Sequence, residues 1–431
     1  MSTKYFYNLG KKKLFPICRS LTGKGNEKTL SIIKKTLGKL KITKFSSGKK
    51  VFDWKIPNEW NVKDAYVLDK FNKKIIDFKK NNLHLVGYSS PQKNNLVEKR
   101  KFFQHLHTLP DQIHAIPYVT SYYKKYWGFC ISEKTKKLFN AKYKSKDKFK
   151  ILINTKFNKK GKMLVGEYFI KGESPQEILI STYICHPSLA NDNLSGILVA
   201  LNLVKYFKKI KNLKKSLRFV FIPETIGSIA YLNKNLNLLK KNVIGGYNLT
   251  CLGISSQHSY IPSKYKNSPS DFALKESYKK LKIKPKKYSF LERGSDERQY
   301  NSPGIDLPIT TVFRSKFATF KEYHTSMDNF EFLSSKALDD SYKVIKKSIE
   351  IILAKKYPKS KVLGEPFMSK RGMYPTISKK NNVYLSSKLL DFLQYSDGTN
   401  DLKLISKLIK LNLEETKKCF KILLKYNLIE I

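Results

Sequence analysis

The sequence predicts an α/β protein, with a mixed sheet flanked by helices, an inserted all-β module and a C-terminal winged-helix domain. From residue 129 to about 356, apolar β-rich runs alternate with stretches of helical periodicity, which is typical of an α/β domain. Residues 43–128 contain short apolar runs broken by turn residues, as all-β modules do. Residues 380–431 contain three amphipathic helical stretches separated by turn signals.

The first domain is predicted to be discontinuous. Residues 1–42 include the stretch NEKTLSIIKKTLGKLK, in which apolar residues recur about every 3.6 positions, as in a helix that packs on a sheet. We therefore assign 1–42 and 129–356 to one α/β domain, interrupted by the module at 43–128. That module contains the runs KVFDWKIP, DAYVLD and LHLVGYSS. It also contains all the tryptophans: Trp54, Trp60 and Trp127.

Strands and helices alternate in the second part of this domain. Strands are predicted in the segments GFCIS, KILINTKF, GEYFIK, EILISTYI, LRFVFI, GGYNLTCLG and LPITTVF. Helices are predicted at 195–209, 228–240, 271–282 and 335–356. This alternation is the basis of the predicted α/β domain.

A linker is predicted at 357–379, where Pro and Gly are frequent, and the winged-helix-like domain follows at 380–431. The last helix of that domain presents Lys417, Lys418 and Lys425, so DNA binding is one interpretation. We favour a dimerisation or packing module, because this helix has no Arg, the residue best suited to reading bases and phosphates.

The composition indicates a folded protein with an unusual charge. Of 431 residues, 41% are hydrophobic and 13% aromatic, which excludes an intrinsically disordered chain. The formal net charge of +50 points to nucleic acid or an anionic membrane as a partner. However, nearly all the basic residues are Lys, and they are spread along the whole chain. A nucleic-acid partner is therefore retained as an alternative that the composition disfavours.

The cysteines and the apolar runs indicate in which cellular compartment the protein is expected. The five cysteines are odd in number and contain no C-x-x-C pair, which argues against a disulfide framework or a structural zinc finger. Cys185 is expected to be a small buried hydrophobe, facing away from its neighbour His186. The first residues show no signal-peptide pattern, and no apolar run is long enough to predict a transmembrane helix. We predict a cytoplasmic protein without a membrane partner.

Four metal-ligating side chains follow β-rich runs of the α/β region. His186, Asp192, Glu224 and His324 come after EILISTYI, LRFVFI and LPITTVF. Groups at the carboxyl ends of strands in an open α/β sheet converge on one crevice. Imidazoles and carboxylates are ligands that hold Zn²⁺ and leave room for a water. The pattern therefore predicts a zinc site in that crevice.

The segments around these residues resemble a known superfamily. HPSLANDNLSG, PETIG, GSDERQY and EYHTSMDNF are similar to segments of the zinc aminopeptidase and glutaminyl-cyclase superfamily. Together with LFPICRSLTGKG and VFDWKIPNEWNVKDAYV, they resemble more closely the aminopeptidase-like proteins associated with bacterial surface-polysaccharide biosynthesis. That closer resemblance covers nearly the whole chain, and it implies a zinc-aminopeptidase-like mixed sheet.

The resemblance also implies roles for the four residues. His186 and His324 correspond to the first and last metal ligands, Asp192 to the aspartate that bridges two metals, and Glu224 to the general base. The resemblance also implies a cis peptide between Asp192 and Asn193. Two expected carboxylates are missing: Thr225 follows Glu224 where a second Glu is usual, and the strand YNLTCLG has no Asp. One zinc ion is therefore favoured over two, and Glu224 is either the base or a ligand.

Further candidates lie in GSDERQY and in a tyrosine-rich segment. Asp296 and Glu297 could bind a substrate ammonium or orient a ligand histidine, and Arg298 or Tyr300 could supply the donor for an oxyanion. The alternative is an internal ion pair in a structured loop. The segment IPYVTSYYKKYWGF is expected to line the entrance to the crevice, unless it packs in a domain junction.

These residues predict a zinc-dependent aminopeptidase-like hydrolase. It would cleave an amide bond next to a free amine, in a small peptide or an amino-sugar-like substrate, with a link to surface-polysaccharide metabolism. The alternative is a non-catalytic metal- or ligand-binding regulator that acts through its winged helix. The retained His–Asp–Glu–His set favours the enzyme, and the missing carboxylates favour the regulator. A homo-oligomer is compatible with either function.

Overall fold

The structure is a computed structural model that describes residues 3–374 and 385–431. The end of the predicted linker, 375–379, and the start of the predicted C-terminal domain, 380–384, lie outside the described residues. Within the described ranges, no helix combines the length and the apolar character needed to cross a membrane.

The strands are numbered in chain order. They are β1 (Lys41–Ser46), β2 (Lys50–Val51), β3 (Trp54–Lys55), β4 (Glu59–Leu68), β5 (Lys74–Asp77), β6 (Gln92–Glu98), β7 (Leu106–His107), β8 (Phe129–Cys130), β9 (Lys148–Asn158), β10 (Lys162–Ile170), β11 (Ser174–Tyr183), β12 (Lys215–Ile222), β13 (Val243–Leu249), β14 (Ser259–Ile261), β15 (Lys286–Lys287), β16 (Ile309–Phe313), β17 (Lys359–Ser360) and β18 (Ile429–Glu430).

The helices are numbered in the same way. They are α1 (Thr3–Leu9), α2 (Lys24–Leu37), α3 (Lys99–Gln104), α4 (Glu133–Lys142), α5 (Ser195–Phe207), α6 (Ile226–Asn242), α7 (Pro269–Lys280), α8 (Glu297–Tyr300), α9 (Ser335–Ala354), α10 (Leu385–Gln394), α11 (Leu402–Leu408) and α12 (Leu413–Lys425). The four helices predicted in the α/β region correspond to α5, α6, α7 and α9, with ends shifted by no more than two residues.

A large mixed sheet forms the centre of the molecule and confirms the predicted fold class. Its eight strands run in the order β1-β10-β12-β11-β13-β16-β14-β15. β12, β11, β13 and β16 are parallel neighbours. β10 is antiparallel to both β1 and β12, whereas β14 is antiparallel to β16 and parallel to β15. β11 is buried on both faces: Ile178 and Ile180 pack in the core with α5 and α9, and Leu179 packs in the core with α6. Burial on both faces explains why EILISTYI is continuously apolar rather than alternating.

A second sheet has four antiparallel strands in the order β5-β4-β9-β6. The central strand β9 lies beyond residue 128, so this sheet extends past the predicted end of the β module. β1, near the predicted start of the module, pairs instead with β10 of the large sheet. Strand pairing depends on partners distant in sequence, which the local pattern of apolar residues does not reveal.

An ion cluster is buried among three neighbouring strands of the large sheet. Arg218 on β12 donates through Nε and Nη2 to Glu177 on β11, at 2.6 and 2.8 Å, and through Nη1 to Glu167 on β10, at 2.8 Å. Tyr231 of α6 also donates to Glu167. All three charged side chains are less than a tenth exposed. One guanidinium therefore neutralises two carboxylates that are shielded from water.

The C-terminal part contains the three predicted helices and confirms a winged-helix domain. α10, α11 and α12 pack around a separate core that includes Leu389, Phe392, Ile405 and Leu423. β17 pairs with β18 in an antiparallel ladder, so residues 359–360 of the predicted linker belong to this folded part. Unlike the chain as a whole, residues 385–431 hold almost as many acidic as basic side chains.

Specific contacts join the winged-helix part to the large domain. Lys355, just after α9, lies with its Nζ 2.7 Å from Asp401 Oδ2 at the start of α11. Nearby, Gln176 Nε2 on β11 donates to the carbonyl of Tyr357 over 2.7 Å. Asp401 also caps α11 by accepting from Leu404 N at 2.8 Å. Asp401 thus has two roles that mutations can separate: it caps α11, and it pairs with Lys355.

We expect Asp401→Ala to lower the free energy of unfolding by about 1 kcal/mol, because the start of α11 loses its acceptor. Asp401→Asn keeps an acceptor and loses only the charge, and partly exposed pairs contribute about 0–1 kcal/mol, so its effect should be smaller. Urea unfolding of both variants measures the difference. Equal losses in the two variants would assign the whole effect to the pair with Lys355.

Candidate metal centre

The predicted ligands lie at one edge of the large sheet, beyond the carboxyl ends of its parallel strands. His186 follows β11, and Glu224 follows β12, its parallel neighbour. Asp192 lies in an irregular turn, 190–194, that leads into α5. His324 comes from the loop between β16 and α9. Because β11, β12 and β16 run in the same direction, the segments after them meet at this edge.

Three of the four side chains form a donor cluster. One ligand atom each from His186, Asp192 and His324 lies within 4.8 Å of the others. His324 Nε2 is 3.0 Å from Asp192 Oδ2, yet this nitrogen is buried without a hydrogen-bond partner. Two imidazoles and a carboxylate are a donor set that Zn²⁺ accepts, with a position left open. The unpartnered nitrogen that faces a carboxylate fits a cation between them.

Asp192 is held on both sides by hydrogen bonds. Tyr183 donates its hydroxyl to Asp192 Oδ1. The Asp328 carboxylate accepts from the backbone nitrogens of Asn191, at 2.6 Å, and of Asp192, at 2.9 Å. The peptide between Asp192 and Asn193 is cis, which confirms the expectation drawn from the family resemblance. These contacts fix the carboxylate toward the two histidines.

The protonation states suit metal binding. Burial lowers the pKa of His186 to about 4, so its imidazole is neutral near pH 7 and has a free lone pair. Burial alone would raise the pKa of Asp192, but the neighbouring His186 and His324 lower it to about 2. Asp192 is therefore ionised over the physiological range, and His186 is in the form that coordinates metals.

Glu224 stands beside the donor cluster and not within it. Its Oε2 lies 3.8 Å from His186 Nε2, and its Oε1 accepts from Ser295 Oγ at 3.0 Å. Burial and the nearby carboxylates of Asp296 and Asp192 raise the pKa of Glu224 well above its usual value. A carboxylate with a raised pKa can take up and release a proton near neutral pH.

Asp296 is a positioning residue and does not face the crevice. It is fully buried and accepts from Thr225 N at 2.7 Å and from Ser228 Oγ at 2.8 Å, at the start of α6. Thr225 adopts a φ of +61°, an uncommon conformation for a residue with a Cβ. Burial raises the pKa of Asp296 to about 6. Asp296 therefore anchors the turn that carries Glu224, and its contact with a substrate ammonium stays a prediction.

Glu297 and Tyr300 also point into the protein, and their contact with substrate stays a prediction. Glu297 accepts from the backbone nitrogens of Gly294 and Ser295 and from Thr311 Oγ1, at 2.8 to 3.0 Å. The Tyr300 hydroxyl lies 2.8 Å from Ser181 Oγ in the core. The two residues are three apart on the short helix α8, so they share its inner face. Arg298, between them, faces outward and lines the crevice.

The crevice is a cavity of about 410 Å³ with an aromatic wall. Trp54, Tyr118, Tyr122 and Tyr123 line it together with His186, Glu224 and His324. The tyrosine-rich segment therefore lines the crevice, as predicted. The ring of Tyr118 meets His324 edge-on, with centroids 5.1 Å apart.

Backbone bonds join the aromatic wall to the His324 loop. Tyr118 N donates to the carbonyl of His324 over 2.7 Å, and Ser326 N donates to the carbonyl of Ile116 over 2.9 Å. Pro117 and Thr325 form an antiparallel bridge between these two bonds. The wall and the loop that positions a candidate ligand thus form one hydrogen-bonded unit.

Several residues of the site were not predicted. Tyr183 and Asp328 hold Asp192, and Arg19 donates from Nε to the carbonyl of His186 over 2.8 Å. Thr250 Oγ1 lies 2.6 Å from the Tyr183 hydroxyl, on the strand segment where a carboxylate was missing. Only their presence in the segments LFPICRSLTGKG, STYICHPS and EYHTSMDNF could have indicated them, and a segment does not say which way a side chain points.

Cys185 is buried as predicted, but it also borders the crevice. Its Sγ accepts from Glu224 N at 3.3 Å, and it is among the lining residues. Burial raises the pKa of this thiol well above its usual value, so it stays protonated. A protonated, buried thiol is a poor nucleophile.

A mixed α/β sheet with a His–Asp–His cluster beyond its parallel strands defines an aminopeptidase-like protein. Residues 7–355 match the family described as "Domain of unknown function (DUF4910)", and residues 355–431 match the winged helix-turn-helix family. The chain belongs to the DUF4910 family.

Related proteins agree with this assignment. A Clostridium acetobutylicum protein, whose provisional name joins polysaccharide biosynthesis with an aminopeptidase-like domain, is 40% identical over 92% of this chain and 89% of its own length. A crystal structure from the same organism, provisionally named a peptidase, covers 99% of this chain and 96% of its own, with 36% identity and a TM-score of 0.78. The zinc aminopeptidase BSAP from Bacillus subtilis shares the fold, with a TM-score of 0.59 and 13% identity over 81% of this chain and 94% of its own.

Proposed function

We propose that this protein is a zinc-dependent aminopeptidase-like hydrolase that cleaves an amide bond next to a free amine. The observation that supports it best is the His186–Asp192–His324 cluster at the floor of a crevice, with Glu224 beside it. The zinc aminopeptidase that shares this fold makes amide hydrolysis the first chemistry to test. The name of the Clostridium relative supports a link to polysaccharide biosynthesis. The substrate that we propose is a small peptide or an amino-sugar conjugate.

His186, Asp192 and His324 would hold the metal. When bound, Zn²⁺ would supply Lewis-acid polarisation of a carbonyl oxygen and of water. One ion is favoured over two, because Thr225 follows Glu224 where a second Glu would be needed and the strand segment YNLTCLG has no carboxylate. A threonine hydroxyl is a much weaker Zn²⁺ ligand than a carboxylate.

Glu224 would act as the general base and then as the general acid. Its carboxylate would take the proton from the attacking water and return it to the leaving amine. Ser295 Oγ and the Asp296-anchored turn orient it. Its place outside the donor cluster supports this role over that of a ligand.

A non-catalytic regulator that binds a metal or ligand is the second candidate. The two missing carboxylates favour it, and the winged helix would supply the output, with Lys417, Lys418, Lys421 and Lys425 exposed on α12. The near balance of acidic and basic side chains in 385–431 does not favour binding to DNA. Metal-loaded protein without turnover on a broad panel of aminoacyl and peptide substrates would support the regulator.

We expect the purified protein to retain zinc at about one ion per chain, measured by plasma mass spectrometry after dialysis. Zinc at about 100 times its dissociation constant should raise the free energy of unfolding by about 2.7 kcal/mol, because only the folded cluster binds it. Asp192→Asn should abolish this stabilisation. Asp391→Asn, an exposed change on α10, serves as the control. Equal stabilisation of both variants by zinc would contradict the proposed site.

A further inference from the structure

Arg298 contributes a cationic group to the wall of the crevice. Its Nη2 donates to Thr225 Oγ1 over 2.8 Å, next to Glu224. The side chain is exposed, lines the cavity and forms no salt bridge with any carboxylate of the described residues. A guanidinium offers several N–H donors in a planar fork, so most of its donors remain free toward the crevice and solvent.

Buried arginines in this chain are bonded in a different way. Arg218 is neutralised by Glu167 and Glu177, and Arg19 donates to the carbonyls of Leu14 and His186. The guanidinium groups of Arg218 and Arg19 are thus engaged in structural contacts. Arg298 has one neutral hydrogen-bond partner, Thr225, which orients its guanidinium and leaves it without a direct ion pair among the described residues.

Few carboxylates line the same crevice. Glu224 is the sole carboxylate among the lining residues that the structure describes, and it already accepts from Ser295 and lies beside His186. Asp296 and Glu297, the acidic neighbours of Arg298 in sequence, are fully buried. Aromatic rings line the same cavity, and those of Trp54 and Tyr123 lie 6.1 Å apart between centroids. The wall near Thr225 is therefore suited to an anionic group.

We propose that the crevice takes an amide substrate bearing a carboxylate or a phosphate, and that Arg298 binds this group. The inference rests on the proposed hydrolase function and narrows its substrate class. Arginine matches the planar, paired oxygens of such groups with two parallel hydrogen bonds. The apolar part of the substrate would lie on the Trp54–Tyr123 wall.

Kinetic measurements on pairs of charged and neutral substrates distinguish two roles of Arg298. One is binding of an anionic group of the substrate, and the other is stabilisation of the transition state. The first pair is L-glutamyl and L-glutaminyl p-nitroanilide, which differ by one charge, and O-phosphoseryl and seryl p-nitroanilide test phosphate. Leucyl 4-aminobenzoate and leucyl 4-aminobenzamide place the charge on the leaving side. Arg298→Gln should lower kcat/KM about 10- to 100-fold for the preferred anionic compound, mainly through KM, and leave its neutral isostere unchanged. Arg298→Lys should recover part of the loss.

Two results would overturn the proposal. One is an equal loss of kcat on the charged and neutral members of a pair, which would make Arg298 an oxyanion donor. The other is an equal effect of Arg293→Gln, which removes the same charge from the same loop outside the crevice. Preference for carboxylate or for phosphate identifies the source of the anion.

A binding measurement keeps the inference testable if no compound is hydrolysed. Calorimetry would compare N-acetyl-L-glutamate with N-acetyl-L-glutamine, and O-phospho-L-serine with L-serine, on the zinc-loaded full chain. An anion preference of about 10-fold that Arg298→Gln removes and Arg293→Gln keeps supports the subsite, even without catalysis. Equal affinities for both members of each pair in the wild type would refute it.

Discussion

Glu224→Gln should lower the rate of amide hydrolysis by about 10²- to 10⁴-fold while zinc stays bound, because a positioned proton-transfer group is lost and the donor cluster is intact. The amide oxygen of Gln can still accept from Ser295 Oγ, so the local fold should persist. Turnover of an aminoacyl reporter and metal content must be measured on the same preparations.

The contrary outcome is informative. If Glu224→Gln loses its zinc, Glu224 is a ligand and not the general base. Glu331→Gln is the matched control, since Glu331 is an exposed carboxylate in the loop that follows His324. It should change neither zinc content nor rate.

Arg218→Ala should lower the free energy of unfolding by about 3–5 kcal/mol, because Glu167 and Glu177 are left buried without their cation. The variant also loses the contact of the guanidinium with the Phe169 ring, 4.6 Å from its centroid. Urea unfolding followed by circular dichroism measures the change.

Lys214→Ala is the comparison for this variant. Lys214 pairs with Glu173 at 2.8 Å on the neighbouring segment, but both side chains are at least half exposed. Such pairs contribute about 0–1 kcal/mol, since water and salt screen them. A loss as large as that of Arg218→Ala would mean that the effect comes from the strand segment and not from the buried charges.

The sequence was most informative where chemistry and strand ends coincide. His186, Asp192 and His324 could be predicted, because metal-ligating side chains after parallel strands have one place to meet. Glu297 and Tyr300 were placed in the crevice with Arg298 because they are adjacent in sequence. On α8, Glu297 and Tyr300 face inward and Arg298 faces outward. This helix is too short to give a clear periodic pattern in the sequence.

Long-range pairing was the main limit for the fold. The alternation of strands and helices predicted the large sheet, but nothing local showed that β9 joins β4 and β6. Likewise, the sequence shows Asp328 only as a carboxylate in a loop. Its contacts with the backbone of Asn191 and Asp192 form only in the folded chain. The contacts that identify Asp328 as a support for Asp192 span more than a hundred positions.

The hydrogen-bonded unit of Tyr118 and His324 has a thermodynamic consequence. A molecule bound in the crevice against Tyr118 stabilises the loop that positions His324. This molecule and the metal therefore favour the same backbone conformation. Linkage then requires reciprocity: the factor by which the bound molecule tightens metal binding equals the factor by which metal tightens binding of the molecule. Zinc retention during dialysis would thus report on crevice ligands, whether or not they are cleaved.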